Sequence, residues 1–252
     1  MTSVTKALIL LDAFRQVGPV AGVSDLARAT GLPKSTAFRL LNQLAANGFL
    51  NRNGTDYRLS QHVFELGNSV PMCQPGDLRS IAGPFLSELF AASRTVAHLG
   101  VLDDLDVLYL DKIQGRTGAH VPTVVGSRVP ASCTALGKAI LPFGHRDSIE
   151  RILQAGLERQ TRYSIAAPGL FVSELKQVRE RGVAFDREES ALGLTSVAAP
   201  IIWRGVAIAA ISTSGPTGRF DPVLYGSQVK AAANEIAALY GAHMRDLELE
   251  RE

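Results

Sequence analysis

Residues 31–41 read GLPKSTAFRLL, and this stretch decides the fold of everything before residue 60. Gly31 can take the positive φ that ends a helix, and Pro33 suits the first turn of the next one, where its missing N–H is no loss. Beyond it, Ala37, Leu40, Leu41 and Leu44 recur at helical spacing and form one apolar stripe. That leaves Lys34, Ser35, Thr36 and Arg39 grouped at the helix start, on or near the other side. The apolar half anchors a helix to a domain. The polar half holds more donors than a solvated face needs.

Working outward, Val4, Ala7, Leu8, Leu11 and Phe14 predict an amphipathic helix over residues 4–17 with Ser3 as its N-cap, stopped by Gly18 and Pro19. Ser24 reads as the N-cap of a short second helix whose buried side holds Leu26 and Ala27. After Gly48, FLNRNGTDYRLS predicts a hairpin around Asn53-Gly54, with Tyr57 and Leu59 on one face and Arg58 on the other. A short helix, a glycine turn, a polar-tipped helix and a basic hairpin describe a winged helix-turn-helix.

Charge agrees with that reading. The 252-residue chain has a net charge of +2, but residues 1–60 hold seven Lys and Arg against three acids. The other 192 residues hold nineteen bases against twenty-one acids. A basic head on a near-neutral body predicts that the head meets a polyanion. Lys34, Arg39, Arg52 and Arg58 are the candidate phosphate contacts, and Ser24, Pro33, Ser35 and Thr36 complete the candidate surface toward duplex DNA.

The chain is 46% hydrophobic, enough to fill real cores, and no run approaches the roughly 18 apolar residues of a membrane span. The start, MTSVTKALILLDAF, carries Lys6 and Asp12 and no small-residue cleavage site, so the expected compartment is the cytoplasm. Cys73 and Cys133 fit no CxxC spacing, the histidines no HxxxH, and TALGKAI lacks the spacing of a phosphate loop. No metal, no cofactor and no catalytic residue is expected.

Past residue 60, QHVFELGNS at 61–69 reads as a connecting helix closed by Gly67 and Pro71. Leu78, Ile81, Phe85, Leu86, Leu89 and Phe90 then keep a helical period to Ser93. Strands follow at 95–102 and 107–113, joined through Asp103-Asp104. An apolar helix is expected at 134–143, another at 175–181, buried strands at 197–202 and 206–212 around a Trp203-Arg204-Gly205 turn, and a last helix at 223–247 with Val229, Ala233, Ile236, Leu239 and Tyr240 on one side. Antiparallel strands interleaved with helices make an α+β domain. The expected division is a DNA-binding domain over 1–60, a linker helix over 61–77 and an effector-binding and oligomerisation domain over 78–252.

In this order, SDLARATGLPKSTAFRLLNQLAANGFL, VAHLGVLDDLDVLYLDKI, RVPASCTALGKAI, VRERGVAFDREESALGLTSVAAPI and AAISTSGPTGRF resemble the IclR (isocitrate lyase regulator) type transcription regulators over nearly the whole chain. The resemblance implies a winged-helix DNA-binding domain, a GAF-like effector domain with a central antiparallel sheet, and dimers that pair into tetramers. It implies an effector cavity lined at Gly118, Val129, Thr134, Ala135, Leu136, Gly137, Asp186, Ser196, Ser212 and Ser214. Ser132 stands where many members have histidine, and Ser196 where many have cysteine.

Chemistry points the same way at part of that cavity. A helix starting near Thr134 offers unpartnered N–H groups and the positive end of its dipole, and Ser212 and Ser214 share one face of a strand. Both favour a small organic acid. Asp186 is compatible with such a ligand when it accepts from a ligand hydroxyl, so the expectation is a hydroxylated or aromatic carboxylate. The function expected is a ligand-responsive, DNA-binding transcription regulator, a repressor. The alternative is a metabolite sensor or enzyme domain whose winged helix contacts protein.

Overall fold

Local chemistry sets the start of the first helix. In a computed structural model, which describes residues 1–70, 76–115, 121 and 123–249, the chain divides into two units, Met1–Gln74 and Pro75–Glu252. In the first unit, Thr2 is extended and its Oγ1 accepts the Thr5 N–H at 3.2 Å, so Thr2 and not Ser3 caps α1 (Ser3–Val17). The helix buries Leu10, Ala13 and Phe14, whereas Val4 and Leu8 stay 69% and 60% exposed. The expected stripe was out of phase at its N-terminal end. The run ALILL is apolar on several phases, and packing against the neighbouring helices selects among them.

A three-residue strand that periodicity could not reveal, β1 (Val20–Gly22), leads directly into α2 (Val23–Thr30). Gly22 therefore takes the N-cap position, and Ser24 lies within the first turn and makes no capping bond. At the other end Gly31 adopts φ +67°, and the Leu32 N–H reaches the Ala27 carbonyl at 3.1 Å. Pro33 stands just before α3 (Lys34–Ala46) rather than inside its first turn, and its carbonyl accepts the Ala37 N–H at 2.9 Å. Strands β2 (Leu50–Asn53) and β3 (Asp56–Leu59) form the hairpin in a sheet of order β1-β3-β2. Asn53 pairs with Asp56, so Gly54 and Thr55 make the turn, one step beyond the expected pair. Leu26, Leu40, Leu41 and Tyr57 sit at the centre of this unit. Helix α4 (Gln61–Asn68) follows and buries none of its residues.

The second unit is built on one antiparallel sheet. Its strands are β4 (Val96–Asp103), β5 (Asp106–Ile113), β6 (Arg128–Pro130), β7 (Ala184–Arg187), β8 (Leu194–Trp203) and β9 (Val206–Pro216), in the order β6-β5-β4-β9-β8-β7. Helices α5 (Leu78–Ser93) and α9 (Pro222–Leu249) cover one face: Thr213 bonds Ser93 at 3.1 Å, and Trp203 meets Tyr240 edge-on at 5.6 Å. The other face takes α6 (Ala135–Ile140), α7 (Arg146–Ala155) and α8 (Pro168–Arg181), with Ala198 and Ala210 packed against Leu136 and Ile140. Burial on both faces makes residues 197–202 of β8 and 206–211 of β9 continuous apolar runs instead of alternating ones. The first turn falls at Asp104-Leu105, one residue beyond the expected Asp103-Asp104, and the second at Arg204-Gly205, within the expected Trp203-Arg204-Gly205. The expected 134–143 helix is broken. Thr134 caps a six-residue α6, and Leu141–Phe143 continues as a tight turn carrying Pro142. On α9, Leu239 is 52% exposed instead of buried, while Gly226 and Gly241 are in the core. Pro71, Cys73, Gly118 and His120 lie outside the described residues.

Candidate functional site

Two sites stand on these units, one on each. On α3, Ala37, Leu40 and Leu41 are buried and Leu44 is half-buried. At 100° per residue the opposite side is centred on Ser35 and Asn42, flanked by Arg39 and Phe38. Lys34, Ser35 and Arg39 are exposed, and Thr36 is half-buried. The side chains of Lys34, Arg39 and the exposed Arg58 of β3 make no hydrogen bond or ion pair among the described residues. Their charges face solvent unneutralised, as contacts to a polyanion require. Ser24 and Pro33 are exposed beside them, and Ser24 lines a groove between the start of α3 and the hairpin.

Arg52 sits differently from the expectation. Its Nε donates to the Gly54 carbonyl at 2.9 Å and its NH1 to Asn42 Oδ1 at 3.2 Å, and its guanidinium lies over Phe38 and Tyr57. It binds the hairpin to α3, because the two-residue turn brings the strand back beside the helix. Tyr57 adds a second tie through its hydroxyl to Asn42 Oδ1 at 2.7 Å. Phe38 and Asn42 escaped the sequence reading, since an aromatic and an amide on an amphipathic helix carry no distinctive pattern.

The second site is a cavity of about 50 Å³ in the other unit. Strand register assembles its floor. Asp186 pairs with Ser196, Ser196 with Ser214, and Ser212 with His98, so all five side chains share one face of β7, β8, β9 and β4. Thr134, Ala135 and Leu136 supply the α6 wall, and Val129 a rim. Gly137 is off the wall. A Cβ there would lie 2.2 Å from the Ala131 carbonyl oxygen, so the residue lets the turn at Ala131–Cys133 pack on α6. Sequence reasoning also missed Tyr109, Thr123 and Ser190, which line the cavity; Tyr109 and Ser190 lie in stretches that carry the resemblance, but no spacing singles them out.

Ser196, Ser212 and Ser214 are buried residues that line the cavity, and their side chains make no hydrogen bond among the described residues. Three hydroxyls side by side in one cavity, each able to donate and to accept, can bond a polar guest there. Thr134 does not leave α6 bare: its Oγ1 accepts the Gly137 N–H at 3.0 Å, which satisfies one of the first N–H groups. Asp186 accepts the Glu189 N–H at 2.7 Å and the Ser190 hydroxyl. Burial pushes its pKa up, against the Ser190 bond and the Lys138 charge that pull it down. Burial likewise raises Glu189, opposed by Lys138, whose Nζ lies 2.5 Å from Oε1.

His98 is held neutral. Burial, and then the charge of Lys112, lower its pKa to about 3, and its Nε2 meets Thr123 Oγ1 at 2.9 Å. Burial pushes the Cys133 thiol up to about 12, which keeps it protonated and a poor nucleophile. Ser132 and Ser196 are both buried, and no three His, Cys, Asp or Glu side chains converge as metal ligands among the described residues. Among those residues, too, no helix is long and apolar enough to cross a membrane.

Comparison with known proteins matches this architecture. A family model described as the IclR helix-turn-helix domain covers residues 3–54, and one described as the bacterial transcriptional regulator IclR C-terminal covers 72–238. The HTH-type transcriptional regulator KdgR of Escherichia coli K12 is 33% identical over 251 residues, 96% of this chain and 94% of that protein. The transcriptional repressor IclR of the same organism is 32% identical over 95% of this chain and 90% of its own length. Among solved structures, an IclR homolog from Microbacterium hydrocarbonoxydans complexed with 4-hydroxybenzoate superimposes with a TM-score of 0.86 at 23% identity, over 96% of this chain and 100% of that one. These matches are to transcription regulators and not to enzymes, and the chain belongs to the IclR family of DNA-binding bacterial transcriptional regulators.

Proposed function

We propose that this regulator is a repressor whose C-terminal, GAF-like unit binds a small hydroxylated carboxylate and thereby changes operator affinity. The observation that carries the reading is the row of unpartnered serine hydroxyls beside buried Asp186. Ser212 and Ser214 donate to the ligand carboxylate, and Asp186 accepts from a ligand hydroxyl, which turns a repulsive neighbour into a selective one. Ligand sites commonly span roughly 300 to 1,000 Å³, so a cavity of about 50 Å³ favours a short hydroxy acid over an aromatic one. An aromatic acid enters only if the walls part.

The DNA-binding residues are Lys34, Ser35, Thr36, Arg39 and Arg58, with Ser24 and Pro33 at the margin and Arg52 acting through the hairpin. The working form is a cytoplasmic homodimer, and a dimer of dimers on paired half-sites. Two recognition helices one turn of DNA apart require two chains, and the exposed Val4 and Leu8 of α1 are apolar surface available for that pairing.

Thermal unfolding of the full chain with lactate, glycerate, tartrate, gluconate and 4-hydroxybenzoate tests the ligand class. A binder at 100 times its Kd stabilises by about 2.7 kcal/mol, several degrees in Tm. At least one short hydroxy acid is expected to give that shift, and Ser212→Ala/Ser214→Ala to abolish it. No shift from any of the acids, or an undiminished shift in the double variant, removes the reading.

A further inference from the structure

Phe38 is an aromatic side chain on the solvent side of the DNA-reading helix, 43% exposed and absent from the core of its unit. Its position is fixed. The Arg52 guanidinium lies 5.5 Å from the ring centroid, and that guanidinium is itself held by the Gly54 carbonyl and Asn42. One side of the ring is therefore covered and the rest presented outward, beside Ser35 and one residue from the unpaired Arg39.

The Arg52 guanidinium takes one side of the ring, and the core of the domain leaves the rest of it at the surface. On a duplex the ring meets one apolar feature that the major groove offers, the C5-methyl group of thymine. Apolar wedges that part base steps belong to minor-groove binders, whereas the second helix of a helix-turn-helix enters the major groove. We propose that Phe38 is a specificity-determining residue that reads a thymine methyl group in each half-site, with Arg52 as the positioning residue that holds its ring. Lys34 and Arg39 contribute contacts that do not sense this methyl group.

The first step of the test finds the operator and the second removes single methyl groups from it. Full-length protein selects sites from a pool of randomised duplexes, and each thymine of the recovered site is then replaced singly by deoxyuridine, which lacks only the methyl. Loss of one methyl contact is expected to weaken wild-type binding about 4-fold at one thymine per half-site, the worth of one buried methylene-sized group. Phe38→Ala is expected to bind both versions equally and to select sites relaxed at that position. Phe38→Leu, whose smaller apolar group keeps a reduced preference, takes its place if the alanine variant does not melt like wild type. Lys34→Ala lowers affinity while retaining the methyl preference. The proposal is overturned if no thymine methyl matters to the wild type, or if the same loss persists in the Phe38 variants.

Discussion

At the scale of single residues, the cavity shows how burial converts ordinary side chains into fixed ones. Lys138 is 1% exposed and paired with Glu189, whose second oxygen Oε2 is buried without a partner among the described residues. A buried ion pair is rarely more stabilising than apolar side chains of the same size, so its value here lies in position. It ties α6 to the segment carrying Ser190, which closes on Asp186. His98 gives a pH signature. Its folded pKa of about 3 lies below the unfolded value of about 6.5, so the folded state binds fewer protons in that window. Its contribution to stability is complete above pH 6.5 and is lost as the pH falls toward 3. Asp186 and Glu189, with raised folded pKa values, act in the opposite sense: their protonated forms stabilise at low pH, and that contribution fades as pH rises through the folded values. The difference between wild type and His98→Gln isolates the histidine. Denaturant titrations from pH 7 to pH 4 are expected to show the wild type losing stability up to about 1.4 kcal/mol per pH unit faster than the variant. Parallel profiles would show that His98 titrates normally.

At the scale of elements, the recognition helix was legible because its stripe and its glycine turn are local, and both are where the sequence places them. The hairpin was legible to within one residue, through Gly54 at φ +61°. β1 and β7 escaped notice, since three or four residues show no period, and β7 carries Asp186. Strands β8 and β9 run longer than expected at the ends holding Thr195, Ser196, Thr213 and Ser214. Ser196 and Ser214 looked like strand termini because a cavity, and not a core, lies over them, while Thr195 and Thr213 face the other side of the sheet, where Thr195 bonds Thr217 at 2.8 Å and Thr213 bonds Thr95 at 2.9 Å. α7 was overlooked, and α8 begins seven residues before its expected start at Leu175. For α3 the consequence is direct. Arg39 is exposed and outside the core, so Arg39→Ala is expected to leave the melting curve intact, weaken DNA binding, and reduce the magnitude of the log Kd against log salt slope by about 1. Unchanged affinity in a gel-shift titration at physiological salt would remove Arg39 from the interface.

At the scale of the whole molecule, charge and chemistry are segregated between the two units. The basic head holds exposed cations without partners among the described residues, while the body holds a cavity lined by serines and Asp186 and a near-neutral charge. The distribution of Lys, Arg, Asp and Glu made this division readable from the residues alone, and the resemblance then covered nearly the full length. The ligand was less legible, because strand register, and not sequence proximity, joins Asp186, Ser196 and Ser214. Regulation follows if one arrangement of the protein binds both ligand and DNA differently from another, with a coupling of roughly 1 to 3 kcal/mol. The most direct measurement is the affinity of the full chain for its own upstream intergenic DNA, with and without a saturating hydroxy acid, in wild type and in Ser212→Ala/Ser214→Ala. The account predicts a change of about 5- to 150-fold in the wild type and none in the double variant, whose ligand-free affinity stays the same. An acid that occupies the cavity and leaves DNA affinity untouched would contradict it.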